Sequence, residues 1–569
     1  MGAALVTWIA GIGCALGAVR LEAPDVVSGL LEQHLTILDR EHDQARSDPA
    51  ERLALVRRAR GEVESLLATQ GYFAPTVTLE ESGEDWVLRV VPGERAAIES
   101  FDLTLRDGSP LDAQAWETLR ADLLRTWPLP VGAFFTQRAW DAGKTGLVSV
   151  LTRQEFAAAR INTSLARVDP GRAKVALTVE LDSGPRFRFG ELSVEGLNDY
   201  PESLVRRYNP PKPGTPYDED RLLAFQTALQ NTPYFASAVV EISRDRDQAD
   251  ATPIRVLVSE AKPRRLTFGA GFSSNNGYRT EVGYRDANLF GEAWHLVSGL
   301  RIEQRELLAF GDIFLPPDPA GFQDSFGALH ERTDHEGLKV SREAVGVTRT
   351  YPIPKGEFGV SVKYQRERTE PDGGDTSEQN ALTGDLSLLW REVDNVLEPR
   401  SGFVAYGRLG GAGKAVLSTQ NFARAYGRLQ FYLPVGRLDV LSLRGEVGKT
   451  FARSRDGIPQ DFLFRAGGSQ SVRGYGYRSL GVRDGDAIVG GRYLATASAE
   501  YTHWRDNGFG YAAFIDAGNA VDDPGAYRPL LGYGVGGRWK SPAGPLALDL
   551  AYGQEERRFR LHFAILIAF

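Results

Sequence analysis

Cysteine is nearly absent from this sequence: Cys14 is the only one in 569 residues. No disulfide can staple the chain, and a chain cleaved after that point has no thiol at all. Beyond the N-terminus there is also no apolar stretch approaching the ~20 residues of a membrane-spanning helix. Positive charge is not in excess: 66 Lys and Arg face 74 Asp and Glu, a net −8, which argues against nucleic acid as a main partner. Histidine is sparse and scattered (His34, His42, His295, His330, His335, His503, His562), and His330 with His335 reads as part of a polar loop lacking a ligand set, so no metal is expected. Ser469 and Ser471 have no nearby base in a strand-turn-helix setting. Gly532, Gly534, Gly536 and Gly537 mimic a nucleotide fingerprint, but no helix follows them, and they read as a strand where glycine thins a wall. Nothing here points to an enzyme or to a cofactor.

What the sequence has in quantity is alternation. Residues 264 to 569 are short Gly-rich and aromatic-rich runs with no helical stretch. Leu441, Leu443 and Val447 alternate with Ser442, Arg444 and Glu446, a pattern that suits lipid on one side and water on the other. A barrel of such strands escapes a search for apolar helices. With strands of about 10 residues and turns and loops alternating, each strand uses roughly 19 positions, giving about 16 strands. The last run alternates Phe559, Leu561, Phe563, Ile565, Ile567 and Phe569 with Arg558, Arg560 and His562, so an apolar outer face ends on a terminal aromatic.

The first half is organised differently. The apolar run Ala3 to Val19, with small residues at Ala15, Gly17 and Ala18, fits the core and cleavage region of a secretory signal over 1–18, although its basic n-region is missing. After it the chain repeats a unit of helix-period stretch, aromatic corner and two strand-like runs. The corners are Tyr72-Phe73, Glu155-Phe156 and Tyr234-Phe235, separated by 156 − 73 = 83 and 235 − 156 = 79 residues. Units two and three also open with a strand, Ile98 to Leu103 and Phe187 to Val194. The expected domains are 19–95, 96–185, 186–263 and a barrel over 264–569.

A Gly-rich loop of roughly forty residues interrupts the barrel pattern, too long for an ordinary hairpin. It carries Val472-Arg473-Gly474-Tyr475. Downstream, Thr496, Ser498 and Glu500 share one strand face, and Phe514, Asp516 and Gly518 share another. If the opposite, apolar faces meet lipid, Glu500 and Asp516 point inward, where a folded-in loop would set Arg473 against them as a lumenal clasp.

Val472 to Tyr475 followed by Phe514-Ile515-Asp516-Ala517-Gly518 resembles the paired signatures of the outer-membrane superfamily that includes BamA, TamA and the two-partner-secretion transporters. Arg285 to Gly291, Asp394 to Gly402 and Ser541 to Leu546 resemble turns of the same family. The resemblance implies α+β POTRA repeats followed by an all-β transmembrane barrel, in the outer membrane of a Gram-negative bacterium with the repeats in the periplasm. It implies that the arginine belongs to the sixth extracellular loop and docks on the Phe-x-Asp-x-Gly strand. Three POTRA units match the TamA branch, whereas a two-partner-secretion transporter would have two and a plug helix, and a plain porin none. The branch implies insertion of unfolded outer-membrane proteins such as autotransporters, a TamB-like partner anchored in the inner membrane, and outer-membrane lipid as a further cargo. A lateral seam is then expected between the first strand (Phe268, Gly269, Gly271) and the last (Phe563, Ile565, Ile567, Phe569), with Gly269 near enough to Ile565 for cysteines there to crosslink.

Overall fold

The computed structural model describes residues 19–38, 49–82, 85–107, 113–318, 320–541 and 544–568. The expected signal segment 1–18 and Phe569 lie outside them. The described residues divide into two compact units, one made of those up to 193 with 211–224 and 240–256, the other of 194–210, 225–239 and those from 257 on.

The described residues from Val19 to Glu260 form three similar α+β modules. The first comprises β1 (Val19–Glu22), α1 (Asp25–His34), α2 (Pro49–Thr69), β2 (Thr76–Ser82) and β3 (Asp85–Val91). The second comprises β4 (Ala97–Asp107), α3 (Ala113–Arg125), α4 (Gln137–Thr152), β5 (Arg160–Asp169) and β6 (Lys174–Gly184). The third comprises β7 (Phe189–Glu195), α5 (Glu202–Arg206), α6 (Glu219–Gln230), β8 (Phe235–Ile242) and β9 (Thr252–Glu260). In each three-stranded sheet the last strand in sequence is central: β1-β3-β2, β4-β6-β5 and β7-β9-β8. The first module therefore also opens with a strand, four residues long and parallel to β3.

The reason for this order lies in the side chains. β6 is central and alternates so strictly that Val175, Leu177, Val179 and Leu181 are all buried under α4, whose Trp140, Leu147 and Leu151 recur at helical spacing. Trp127 stacks on Phe101 at 4.0 Å between ring centroids and fills the space left by Gly143, where a Cβ would stand 2.6 Å from the indole. The aromatic corners close the cores: Tyr72, Phe156, Tyr234 and Phe235 are all buried.

From Arg264 the chain is strand after strand. In order they are β10 (Arg264–Ser273), β11 (Gly277–Leu289), β12 (Trp294–Glu303), β13 (Glu306–Phe314), β14 (Gln323–His335), β15 (Leu338–Ile353), β16 (Gly356–Pro371) and β17 (Ser377–Val393). There follow β18 (Gly402–Ala412), β19 (Phe422–Val435), β20 (Asp439–Phe451), the short pair β21 (Val482–Asp484) and β22 (Ala487–Val489), then β23 (Tyr493–Trp504), β24 (Phe509–Val521), β25 (Leu530–Ser541), β26 (Gly544–Gly553) and β27 (Arg558–Ala568). Among the described residues, sixteen of these, all but β21 and β22, pair antiparallel as one closed barrel. Closure pairs the first strand with the last over Gly269–Ser273 and Ala564–Ala568, so away from that seam the sheet has no free edge, which is what lipid requires.

Alternation sets the two faces of the wall. Along β24, Tyr511 and Ile515 are exposed outward while Ala512, Phe514 and Asp516 are buried inward. Along β20, Val447 is 63% exposed whereas Arg444 and Glu446 keep side-chain exposures of only 15% and 12%. Short turns join strands at one end. Asp394 folds one of them, its carboxylate accepting hydrogen bonds from the backbone N–H groups of Asn395, Arg400 and Ser401. His330 and His335 belong to β14, not to a loop: strand pairing with β15 continues through His335, whose side chain is buried.

Candidate functional site: an arginine clasp in the barrel lumen

The long loop runs from Ala452 to Arg492, 492 − 451 = 41 residues between β20 and β23. It folds inward because its own apolar side chains need cover: Phe464, Ala466, Val472, Tyr475 and Leu480 form a buried cluster with Leu494 of β23 and Ala520 of β24. That cluster delivers Arg473 to the lumenal wall.

The guanidinium is held on every side. Nε donates to Asp516 Oδ2 at 2.7 Å and Nη2 to Asp516 Oδ1 at 3.0 Å, a planar two-pronged fit, while the Arg473 backbone N–H donates to Oδ2 at 3.0 Å. Nη1 reaches Glu500 Oε2 at 2.6 Å and Asp549 Oδ2 at 3.1 Å. The Phe514 ring lies beneath, 3.4 Å from Cζ to the centroid, so the Phe-x-Asp spacing supplies a π face and a carboxylate to the same cation. Arg473 keeps 6% of its side-chain surface and Asp516 none. Burial alone would make the guanidinium easier to deprotonate, but its bonds to Asp516 and the charge of Glu500 outweigh this and push its pKa up, so it stays charged.

A second cation completes the network. Arg538 of β25 reaches Glu500 at 2.8 Å and also bonds Asp549. Three carboxylates therefore share two guanidinium groups. The neighbours of Arg473 are fixed as well: the Gly474 N–H donates to His562 Nε2 at 3.0 Å, which requires that nitrogen to be unprotonated, and Tyr475 donates its hydroxyl to the Leu531 carbonyl at 3.0 Å. Val472 is fully buried, and Gly518 stands where a Cβ would lie 2.7 Å from Thr496. The eight sequence-derived clasp residues thus fall on the loop, β23 and β24.

Asp549, Arg538 and His562 are not signalled by the sequence, because their positions opposite the loop depend on barrel closure and not on spacing. The glycines of β25 do carry a readable signal, and they do more than thin a wall. A Cβ on Gly532 would stand 1.8 Å from the Arg473 carbonyl oxygen, one on Gly534 2.1 Å from the Leu550 oxygen, and one on Gly536 1.9 Å from Asp549 Oδ1. Gly532 is the floor on which the loop rests, while Gly534 and Gly536 leave room for the wall beside it, β26 and the Asp549 carboxylate. Gly532→Ala should therefore displace the loop and destabilise the folded barrel by about 1–3 kcal/mol. Gly537, on the other face, has nothing within 4 Å of its Cβ position. Gly537→Ala should melt like the parent, and equal melting of both variants would refute the floor role.

The seam residues lie apart from the clasp but connect to it through His562. β10 pairs with β27 over Gly269–Ser273 and Ala564–Ala568, with Phe272 opposite Ile565 and Gly269 opposite Ala568. The expected closeness of Gly269 to Ile565 is corrected accordingly: the two are three register positions apart, roughly 10 Å along the strand. Phe268 is half exposed, and Gly269 makes room for the Glu281 side chain, 2.8 Å from its Cβ position.

A closed sixteen-stranded barrel with charged residues inside and apolar residues outside, and with a long loop clasped into its lumen, defines a membrane-spanning barrel protein whose core is filled by its own loop. Residues 264–569 match the Omp85 superfamily domain, more than half of the chain, and this chain belongs to that superfamily. Residues 187–261 match the POTRA family, described as a surface antigen variable number repeat. The chain is similar to the outer membrane protein assembly factor BamA of Nitratidesulfovibrio vulgaris, 24% identical over 395 residues that make up 64% of this chain and 48% of that protein. It is also similar to BamA of Neisseria meningitidis serogroup B, 22% identical over 447 residues, 66% of this chain and 56% of that protein. The chain thus spans about half the length of the curated relatives it matches. In fold it is similar to the crystal structure of BamA from Haemophilus ducreyi lacking POTRA domains 1–3, with a TM-score of 0.68, 14% identity, and coverage of 84% of this chain and 100% of that one.

Proposed function

We propose that this chain is a TamA-like assembly factor of the outer membrane of a Gram-negative bacterium, without enzymatic activity, that inserts β-barrel or autotransporter proteins. In this reading residues 19–95, 96–185 and 186–263 are three periplasmic POTRA domains. A TamB-like partner adds a strand to one of their open edges, for which β2 and β5 offer unpaired backbone groups. Three sheets, against the two expected of a two-partner-secretion transporter, favour assembly over export of a single polypeptide. Outer-membrane lipid is a second cargo that the same seam would admit.

The seam carries the reading. β15 and β16 pair over sixteen positions, whereas β10 and β27 pair over five. β27 also divides its pairing: Arg558–Phe563 lie against β26, and Ala564–Ala568 against β10. Among the described residues, Arg264–Thr267 of β10 have no β27 partner and Ala564–Ala568 have no β26 partner, and backbone left open in this way is costly in lipid and available to an incoming strand. A cargo strand would satisfy them as it enters the bilayer.

Reconstitution tests this. Proteoliposomes containing the chain should speed the folding of a urea-unfolded autotransporter barrel, followed by its heat-modifiable migration in gels, and a strain lacking the chain should accumulate unassembled autotransporter. Folding no faster than in empty liposomes, together with normal assembly in the strain, would remove the proposal.

A further inference from the structure

The outward face of the wall changes character part-way along three neighbouring strands. On β14 the outward residues are Phe326 and Ala328, then His330, Arg332 and Asp334. On β15, read in the opposite direction, they are Val347 and Val345, then Glu343, Ser341 and Lys339. On β16 they are Val362 and Tyr364, then Arg366, Arg368 and Glu370. Register puts them side by side: His330 pairs with Glu343 and Glu343 with Arg366, while Arg332 pairs with Ser341 and Ser341 with Arg368. Val345 and Val362 are 56% and 48% exposed, whereas residues that alternate with this set, Thr333, Gln365 and Glu367, are buried. Charge on a lipid-facing wall is costly except at the level of the headgroups, so the switch marks where hydrocarbon ends. β14 runs in the same direction as β10, so its charged end lies away from Arg264, where the chain leaves the third module.

Two hollows meet at this boundary. Over the apolar part lies a groove of about 1060 Å³ whose floor is small, Ala309 and Ala328, between Leu300 on one side and Val345 and Tyr364 on the other. His330, Glu343 and Arg366 stand at its rim. The second hollow, of about 560 Å³, begins two residues further along the same strands, at Arg332, Ser341 and Arg368. It is cationic. Arg305, Arg332, Lys339 and Arg368 line it, and of the acids beside it Glu303 already faces Arg279, Glu306 accepts from Asn276 and Glu370 accepts from Arg368, which leaves Asp334. Among the described residues, Arg332 and Lys339 are exposed and have no ion-pair partner.

An apolar groove running into a cationic hollow fits an amphiphile with an anionic head. The charged stretch extends four residues along each strand, about 13 Å, and across three strands, about 10 Å. A single phosphodiester would meet only part of it, whereas a sugar headgroup with two phosphates would cover it. We propose that the outer wall of β12 to β16 carries a specific site for a bisphosphorylated glycolipid of the lipid A type, with one acyl chain over Ala309 and Ala328 and the phosphates on Arg332, Lys339 and Arg368. Four strands, β10 to β13, separate β14 from the seam, so this lipid is a fixed ligand of the wall and not a cargo. The inference rests on the periplasmic placement of the modules proposed above, which sets this end of the barrel in the outer leaflet. Its readout is binding to the purified chain, so it can fail while the assembly reading stands, and the reverse.

Native mass spectrometry of the full chain, delipidated in detergent and titrated with bisphosphorylated lipid A, tests this. The parent should bind one lipid. Arg332→Gln with Lys339→Gln should weaken binding about tenfold or more, and Ala328→Trp, which fills the groove without changing any charge, should weaken it several-fold. Both should keep the parental barrel melting. Phosphatidylglycerol should compete poorly. Parental affinity in the variants would overturn the proposal, and so would phosphatidylglycerol binding as tightly as lipid A, since the wall would then be a general surface for anionic lipid. The two variants alter separate parts of the site, so either decides alone if the other fails to fold.

Discussion

Arg473→Ala should cost the folded barrel about 3–5 kcal/mol, the range for removing one partner of a buried ion pair. The upper part of that range applies because Asp516 has no exposed side-chain surface and takes both of its side-chain bonds from Arg473. The variant leaves it only the backbone N–H of residue 473. Arg538 would then face Glu500 and Asp549 alone. Melting of the purified barrel, read by loss of its compact gel mobility on heating, checks this, and a parental profile would show that the loop is not held through this side chain. The three α+β modules should keep their own unfolding transition. Arg473→Lys should fall between, since one ammonium cannot make the two-pronged fit to Asp516 and still reach Glu500 and Asp549.

Second substitutions separate charge from shape. Arg473→Ala with Asp516→Asn should melt above Arg473→Ala alone, because the second change removes the uncompensated buried charge. The swap of Arg473→Asp with Asp516→Arg should recover little, although the two side chains meet directly. It would place a fourth carboxylate beside Glu500 and Asp549. A network of three acids and two bases cannot be inverted one pair at a time.

Much of this site is legible in the sequence because a barrel strand has a strict period of two. Once Tyr511, Ala513 and Ile515 are assigned to lipid, Asp516 must face the lumen, and the same holds for Glu500 opposite Tyr501. The length of the loop and its Arg-Gly pair at 473–474 indicate what would meet them. Asp549 and His562 are not legible, since nothing local to β26 or β27 says which loop residue closure will bring to them. The glycines at 532, 534 and 536 are visible as a row, but an absent side chain does not announce what fills the space. In the modules, β1 escapes notice for a similar reason: four residues, Val19–Glu22, are too few to show a period, and their pairing partner β3 lies over sixty residues away.

Locking the seam should abolish insertion of cargo. Gly271 and Leu566 are register partners across β10 and β27, and opposed residues of an antiparallel pair have Cα atoms about 4.5–5.5 Å apart, within disulfide range. Gly271→Cys with Leu566→Cys should therefore oxidise to an intramolecular disulfide in high yield. The offset pair Gly269→Cys with Ile565→Cys, roughly 10 Å out of register, should not, which makes it the internal control for the strand alignment. Because β10 and β27 share five positions among the described residues, one covalent bond in the middle of them leaves no stretch of seam long enough for an incoming strand to replace. The oxidised protein should fail to fold autotransporter barrels in proteoliposomes, and reduction should restore the parental rate. Barrel melting should rise or stay constant in the same samples, so loss of insertion could not be put down to damage. Undiminished insertion by the fully oxidised protein would mean that cargo does not enter between these strands, and would leave the lumen as the remaining route.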